Sequence, residues 1–212
     1  MNRCLFVVFV LLVPSAAAQD KDFTPLFNGK NLDGWQAMAG GKIEDWSVRD
    51  GILVAKAGRG WLGTKKMYSD YVVRVVWKLP TANGNSGVFL RVPDIETKES
   101  PSSYAMEIQI LDDDGPAYVG KLKPYQYSGS LYHFFPRTKA MYKKGEWNAF
   151  EITCKGNQVI VVYSGERVVD GDVTKFPDLD KRPRRGMIGL QNHGSAVEFR
   201  EVSIKVLNTR ER

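Results

Sequence analysis

Tyr71-Val72-Val73-Arg74-Val75-Val76-Trp77-Lys78-Leu79 alternates with period two: Tyr71, Val73, Val75, Trp77 and Leu79 fall on one face, Arg74 and Lys78 on the other. Successive side chains of a strand point to opposite faces, so this segment predicts a strand with one face in a core and one in water. The pattern repeats outward from it. Ile152 and Cys154 alternate with Glu151, Thr153 and Lys155, Gly156-Asn157 punctuates, and Gln158 to Tyr163 is rich in β-branched residues up to Ser164-Gly165. These segments predict antiparallel hairpins with glycine-containing turns. Near the end, Val197 and Phe199 occupy one phase while Val202, Ile204 and Val206 occupy the other, which predicts a bulge near Glu201. Helical periodicity is nearly absent, and no linker, repeat or composition break divides the chain. The expected architecture is all-β: one antiparallel two-sheet sandwich or jelly roll over residues 19–212, with few or no helices.

Composition removes other classes. With 43% apolar and 25% charged residues among 212, the chain is too apolar for disorder, and two cysteines cannot make a disulfide scaffold. Met1-Asn2-Arg3, an apolar run from Cys4 to Val13, and Pro14-Ser15-Ala16-Ala17-Ala18 predict a secretory signal peptide over residues 1–18. The run is half of what a membrane span needs, so no membrane anchor is expected. Export, to the periplasm or beyond the cell, leaves 194 residues with a net charge of +5. Cys154 is then the sole thiol and is expected as a small buried hydrophobe. Lys181-Arg182-Pro183-Arg184-Arg185 is expected as a solvated basic loop, and nucleic acid is not an expected partner.

Three further strands place polar residues opposite their core faces. Met106, Ile108 and Ile110 point inward, sending Glu107 and Gln109 to the other side. Val88, Leu90 and Val92 are expected in the core with Phe89 and Arg91 opposite, after Asn85. Ile188 and Leu190 are expected inside with Gln191 and His193 opposite. If these strands share one sheet, Arg91, Glu107, Gln109, Gln191 and His193 converge on a polar surface, the alternative being an ordinary solvated face. Arginine, amide and carboxylate side chains suit sugar hydroxyls, and aromatic rings suit the C–H faces of sugars. Trp35, Trp61, Tyr118, Tyr125, Tyr127 and Tyr132 are the aromatic candidates. The segment from Asp112 to Glu146 is poorly patterned and is expected to border the site. Asp112-Asp113-Asp114 reads as a solvated turn in preference to a cation site.

Five ordered motifs are similar to those of the 3-keto-disaccharide hydrolase domain family. They are Phe23-Thr24-Pro25-Leu26-Phe27-Asn28-Gly29-Lys30-Asn31-Leu32-Asp33-Gly34-Trp35, Asn85 to Arg91, Glu107 to Asp112, Gly145-Glu146-Trp147-Asn148, and Gly189 to Gly194 with Phe199-Arg200. The resemblance implies a concanavalin-A-like sandwich and an exported enzyme cleaving glycosides oxidised at C3. A 3-ketone acidifies the C2 hydrogen, so a base removes it, the aglycone leaves C1 by β-elimination, and water adds. For such chemistry His193 is the first candidate base, because imidazole titrates near neutral pH. Glu107 is the alternative base. Arg91 and Gln109 are candidates for the oxyanion, and Gln191, Asn85 and Tyr132 for substrate binding. His133 is held in reserve. A divalent cation is the one cofactor this chemistry would use, with Glu107 and His193 as its candidate ligands. Concanavalin-A-like β-glucanases carry E-x-D-x-E on the comparable strand; here Glu107-Ile108-Gln109-Ile110-Leu111 lacks the second glutamate, which disfavours two-carboxylate hydrolysis. A non-catalytic glycan-binding module on the same sandwich remains the competing expectation.

Overall fold

Thirteen strands run through a computed structural model that describes residues 21–207; the expected signal peptide lies outside the described residues. They are β1 (Thr24–Pro25), β2 (Trp35–Met38), β3 (Trp46–Arg49), β4 (Ile52–Ala55), β5 (Trp61–Thr64), β6 (Tyr71–Lys78), β7 (Asn85–Val92), β8 (Met106–Leu111), β9 (Asn148–Lys155), β10 (Gln158–Tyr163), β11 (Glu166–Asp172), β12 (Met187–Gln191) and β13 (Val197–Val206). The α-helix among the described residues is a single turn, Pro177–Asp180.

Every pairing is antiparallel. One sheet follows the order β11-β10-β9-β6-β13-β4-β3, with β1 paired to β13, and the other the order β2-β5-β12-β7-β8. The central strand of the larger sheet is β6, the segment whose alternation set the expectation. Tyr71, Val73, Val75 and Trp77 are buried and the residues between them are half-buried. Its apolar face meets Leu62, Val88, Leu90, Ile108, Ile110, Ile188 and Leu190 of the smaller sheet in one continuous core. Cys154 lies in that core as a free, buried thiol.

Two bulges reset the alternation. In β13 the register shifts between Phe199 and Glu201, so Val197 and Phe199 and then Val202 and Ile204 all reach the core, as the sequence phase change requires. In β7 the pairing with β12 gains a residue: Phe89 faces Gly189, but Val92 faces Met187. The sequence pattern carries no sign of this second bulge, and it decides the fate of Arg91. The backbone of Arg91 has φ +53°, and its side chain leaves the face that Phe89 occupies. Its guanidinium donates to the carbonyls of Ser69 (2.7 Å) and Gly156 (2.9 Å) and to the Asp70 carboxylate (3.0 Å), with no solvent exposure. Arg91 is therefore a buried tie between the sheets and not the expected oxyanion contact. The same slip moves Val92 out of the main core to join Trp61, Phe89, Ala105 and Met187 on the opposite face.

Candidate active site

The smaller sheet is buried on both faces. Every residue of β5, β8 and β12 is buried, although half of their side chains point away from the main core. Chain outside the strands lies over part of that second face, residues 59–60, 98–102 and 192–193, while residues 129–132 run along the edge of β8. The segment 129–132 follows β8 closely, with Gly129 N–H donating to Gln109 O (2.9 Å), Gln109 N–H to Ser130 O (3.1 Å) and Tyr132 N–H to Glu107 O (2.9 Å). These bonds satisfy the open edge of β8 and deliver the Tyr132 ring to the sheet face.

Between the sheet and these segments lies a cavity of about 510 Å³, within the range of small-molecule sites. Asn85, Phe89, Glu107, Gln109, Gln191 and Trp61 come from the strands, and Tyr132, Asn192 and His193 from the irregular chain beside them. Of the expected site residues, the fold brings together Asn85, Glu107, Gln109, Tyr132, Gln191 and His193, and it takes Arg91 elsewhere. Trp61 and Tyr132 are the aromatic candidates that line the cavity. Trp35 is in the main core with its indole N–H on Leu26 O, Tyr118 bonds Asn83 O, and Tyr127 stacks under Arg137. Tyr125 and His133 pack against Tyr132 without lining the cavity.

Glycines shape the floor. A Cβ on Gly87 would sit 2.2 Å from Glu107 Oε1, and a Cβ on Gly189 or Gly63 would sit 2.6 Å from the Trp61 ring. The Glu107 side chain therefore lies across Gly87, and Trp61 lies across Gly63 and Gly189 with its ring edge-on to Phe89. Glu107 is 4% exposed. Burial pushes its carboxyl group up to about 8, with no opposing cation or hydrogen bond to lower it. Gln109 is 5% exposed and donates to Asn85 Oδ1 (3.1 Å), which orients both amides. Asn85 is itself pinned by its backbone, exchanging bonds with the Ser195 hydroxyl.

Three buried polar atoms on this cavity have no protein partner: Gln191 Oε1, Asn192 Nδ2 and Trp61 Nε1. An unsatisfied buried group costs about 1–3 kcal/mol, and Tyr71 Oη and Trp77 Nε1 in the main core are of the same kind. Sequence reasoning missed Asn192, Arg59, Lys98 and Glu99, all of which line the cavity. Gly58-Arg59-Gly60, a cation flanked by glycines, was the available signal for Arg59; Lys98 and Glu99 sit on an irregular loop and left none. Glu99 is an exposed carboxylate that accepts from the Ser103 hydroxyl at 3.2 Å.

No group of three His, Cys, Asp or Glu side chains gathers among the described residues, and the two expected cation ligands, Glu107 and His193, both line the cavity. At Asp112-Asp113-Asp114 the expected solvated turn is largely buried. Asp112 accepts from Asn83 N–H, Asp113 from Ser128 N–H and Arg137, and only Asp114 is exposed.

Residues 22–205 match the family model described as a 3-keto-alpha-glucoside-1,2-lyase-like domain. A curated Bacteroides thetaiotaomicron protein named 3-keto-disaccharide hydrolase is 26% identical over 230 aligned positions, covering 88% of this chain and 79% of that protein. The solved structure of a candidate glycosyl hydrolase from Parabacteroides distasonis superposes with a TM-score of 0.80 at 27% identity, covering 91% of this chain and 99% of the other. A Bacillus subtilis protein with a galectin-like fold shares the sandwich at a TM-score of 0.54 and 12% identity, covering 86% and 94%.

Proposed function

The chain belongs to the 3-keto-alpha-glucoside-1,2-lyase-like domain family, and from that premise we propose an exported carbohydrate-active enzyme that cleaves 3-keto-glycosides by elimination and rehydration. The observation that carries this is Glu107, a carboxyl group held at about 8 on the floor of a cavity lined with amides and aromatic rings. A general base works best with a pKa near the operating pH, and a buried carboxylate is a far stronger base than one in water.

In the proposed cycle the Glu107 carboxylate takes the C2 proton of the keto sugar, and the electron pair passes into the enolate. The enolate then expels the C1 oxygen, which leaves with a proton, and a C1–C2 double bond forms. Water adds its oxygen to C1 while the Glu107 proton returns to C2. One water is consumed, and one alcohol and one 3-keto sugar are released, with no change in oxidation state. His193, exposed beyond the end of β12, suits proton exchange with the leaving group and water better than it suits the first abstraction. Gln109, Asn85 and Gln191 offer hydrogen bonds to hydroxyls and the ketone, and the Arg59 and Lys98 cations at the cavity favour the developing negative charge. Export to the periplasm or beyond follows from the leader-like residues 1–18 and belongs to the same proposal.

The test is incubation of the purified protein with a panel of 3-keto-glucosides in D₂O. Alcohol release with one deuterium at C2 of the sugar product is expected, because the proton on Glu107 exchanges with solvent. Alcohol release without C2 label, and with no primary isotope effect on a C2-deuterated substrate, would overturn the elimination route. No turnover on any member, with calorimetric binding of unoxidised oligosaccharide, would replace the enzyme with a glycan-binding module.

A further inference from the structure

A second cavity, of about 600 Å³, adjoins the first and shares Ala39 and Lys98 with it. Its floor is the edge strand β2 and the turn after it, Ala37 to Gly40, and its roof is the loop that leaves β7, Asp94 to Lys98. In the sheet order β2 stands three strands from β7, roughly 14 Å at the usual strand spacing. The loop therefore arches over the concave face, and both cavities open beneath it. Backbone packs closely beside the Ala39 that both cavities share. A Cβ on Gly60 would lie 2.5 Å from Met38 O, and one on Gly41 would lie 2.6 Å from Arg59 O.

The chemistry changes between the two cavities. The first cavity is lined with Asn, Gln and His side chains and aromatic rings. The second has none of these: Ala37, Met38, Ala39 and Ile95 are its apolar side chains, and Asp94, Glu96, Thr97 and the shared Lys98 are its polar ones. Ile95 is 46% exposed, one of four exposed large hydrophobic residues among the described ones. Ile95 shares this cavity with Ala37, Met38 and Ala39, an apolar set in which a thioether adapts to partners of different shape. We propose that this second cavity is the leaving-group subsite and that it takes an aglycone with an apolar body, an aryl or alkyl group, in preference to a second sugar.

The subsite rests on the function proposed above, and two substrates separate their fates. Benzyl and glucosyl 3-keto-glucosides of one anomeric configuration both release alcohols and differ in what enters the second cavity. The wild type is expected to favour the benzyl substrate in kcat/KM. Ile95→Asp is expected to lower that value about tenfold and the glucosyl value less than twofold, and Ile95→Met to restore the preference. Ile95 is exposed, so these variants fold. Equal effects on both substrates, or a wild-type preference for the glucosyl one, would overturn the subsite and leave the enzyme proposal standing. Ligand-detected NMR of benzyl alcohol with the full chain is the readout that needs no turnover. Binding that Ile95→Asp abolishes supports the cavity even if neither glycoside is cleaved, whereas absent binding with neither glycoside cleaved overturns it.

Discussion

The two sheets share one core and differ on their other faces. The larger sheet turns Arg74, Lys78, Glu151 and Glu198 outward, and they pair across strands, Arg74 with Glu151 and Lys78 with Glu198, both at 2.8 Å and partly in water. The smaller sheet turns Glu107, Gln109 and Gln191 outward, and all three are nearly removed from solvent, the Glu107 carboxyl with no cation lowering it. Charge on the first face is paired and hydrated, which costs little and contributes little. On the second face polar groups are buried around a cavity, Gln191 Oε1 without a protein partner, and that burial costs stability.

Glu107 is the sharpest form of that contrast and carries the largest expected effect. Glu107→Gln keeps the shape and removes the base, so kcat should fall by about 10²–10⁴ in steady-state assays of a 3-keto-glycoside. In the wild type kcat/KM should rise as pH rises through about 8, since only the ionised carboxylate accepts the C2 proton. Stability should move the other way. Because burial raises the folded carboxyl to about 8 against about 4.5 for an ordinary one, the favourable contribution of its neutral form is complete below about pH 4.5 and is lost progressively as pH rises to about 8. The full difference is about 5 kcal/mol by linkage. Thermal unfolding should therefore show the Gln variant gaining on the wild type between about pH 4.5 and 8; parallel curves across that window would show that Glu107 is not buried as a neutral acid.

Arg91 breaks the contrast from inside the smaller sheet, since it is buried and yet has a partner on each of its three guanidinium nitrogens. Arg91→Ala strands Asp70 and two carbonyl groups, and about 3–5 kcal/mol should be lost in denaturant unfolding. The kcat of the surviving folded fraction should stay near wild type. A selective loss of kcat at unchanged stability would return Arg91 to the site.

The sequence made the larger sheet legible because a half-buried antiparallel strand writes its burial directly as period two, and β6, β9 and β13 do so, down to the bulge at Glu201. It made Glu107, Gln109 and Gln191 legible for the same reason, as polar residues opposite core positions. Arg91 was misread because the β7 bulge inserts its extra residue among Phe89, Leu90, Arg91 and Val92, where either phase looks apolar. The cavity walls left no periodic signal, so Lys98, Glu99 and Asn192 went unseen. The motifs behind the family resemblance also divide by task. Those around Asn85, Glu107 and Gln191 line the cavity. Asn148, by contrast, closes a turn through Lys143, Glu146 and the Tyr163 hydroxyl, and Asn28 caps the turn that holds Lys30 and Asn31.

Gly87 tests whether the floor must be bare. Gly87→Ala places a methyl against the Glu107 carboxyl and should cost about 1–3 kcal/mol of stability while displacing the base. Its kcat should fall more than its KM changes, whereas Gly156→Ala, whose added Cβ meets nothing within 4 Å, should change stability alone through its positive φ. An active, fully stable Gly87→Ala would mean the carboxyl has room to move.

The smallest effect belongs to the solvated face. Glu151→Gln removes the carboxylate beside Arg74, whose guanidinium also lies over the Phe23 ring at 3.7 Å and keeps that contact. Both charged side chains are about a third exposed, so the pair should contribute only about 0.2–1 kcal/mol, less still in 1 M salt, with no change in turnover. If Glu151→Gln instead cost as much as a cavity-floor substitution, the outward face of the larger sheet would be more than a solvated surface. Burial, not strand position, would then be the wrong criterion for separating the two sheets.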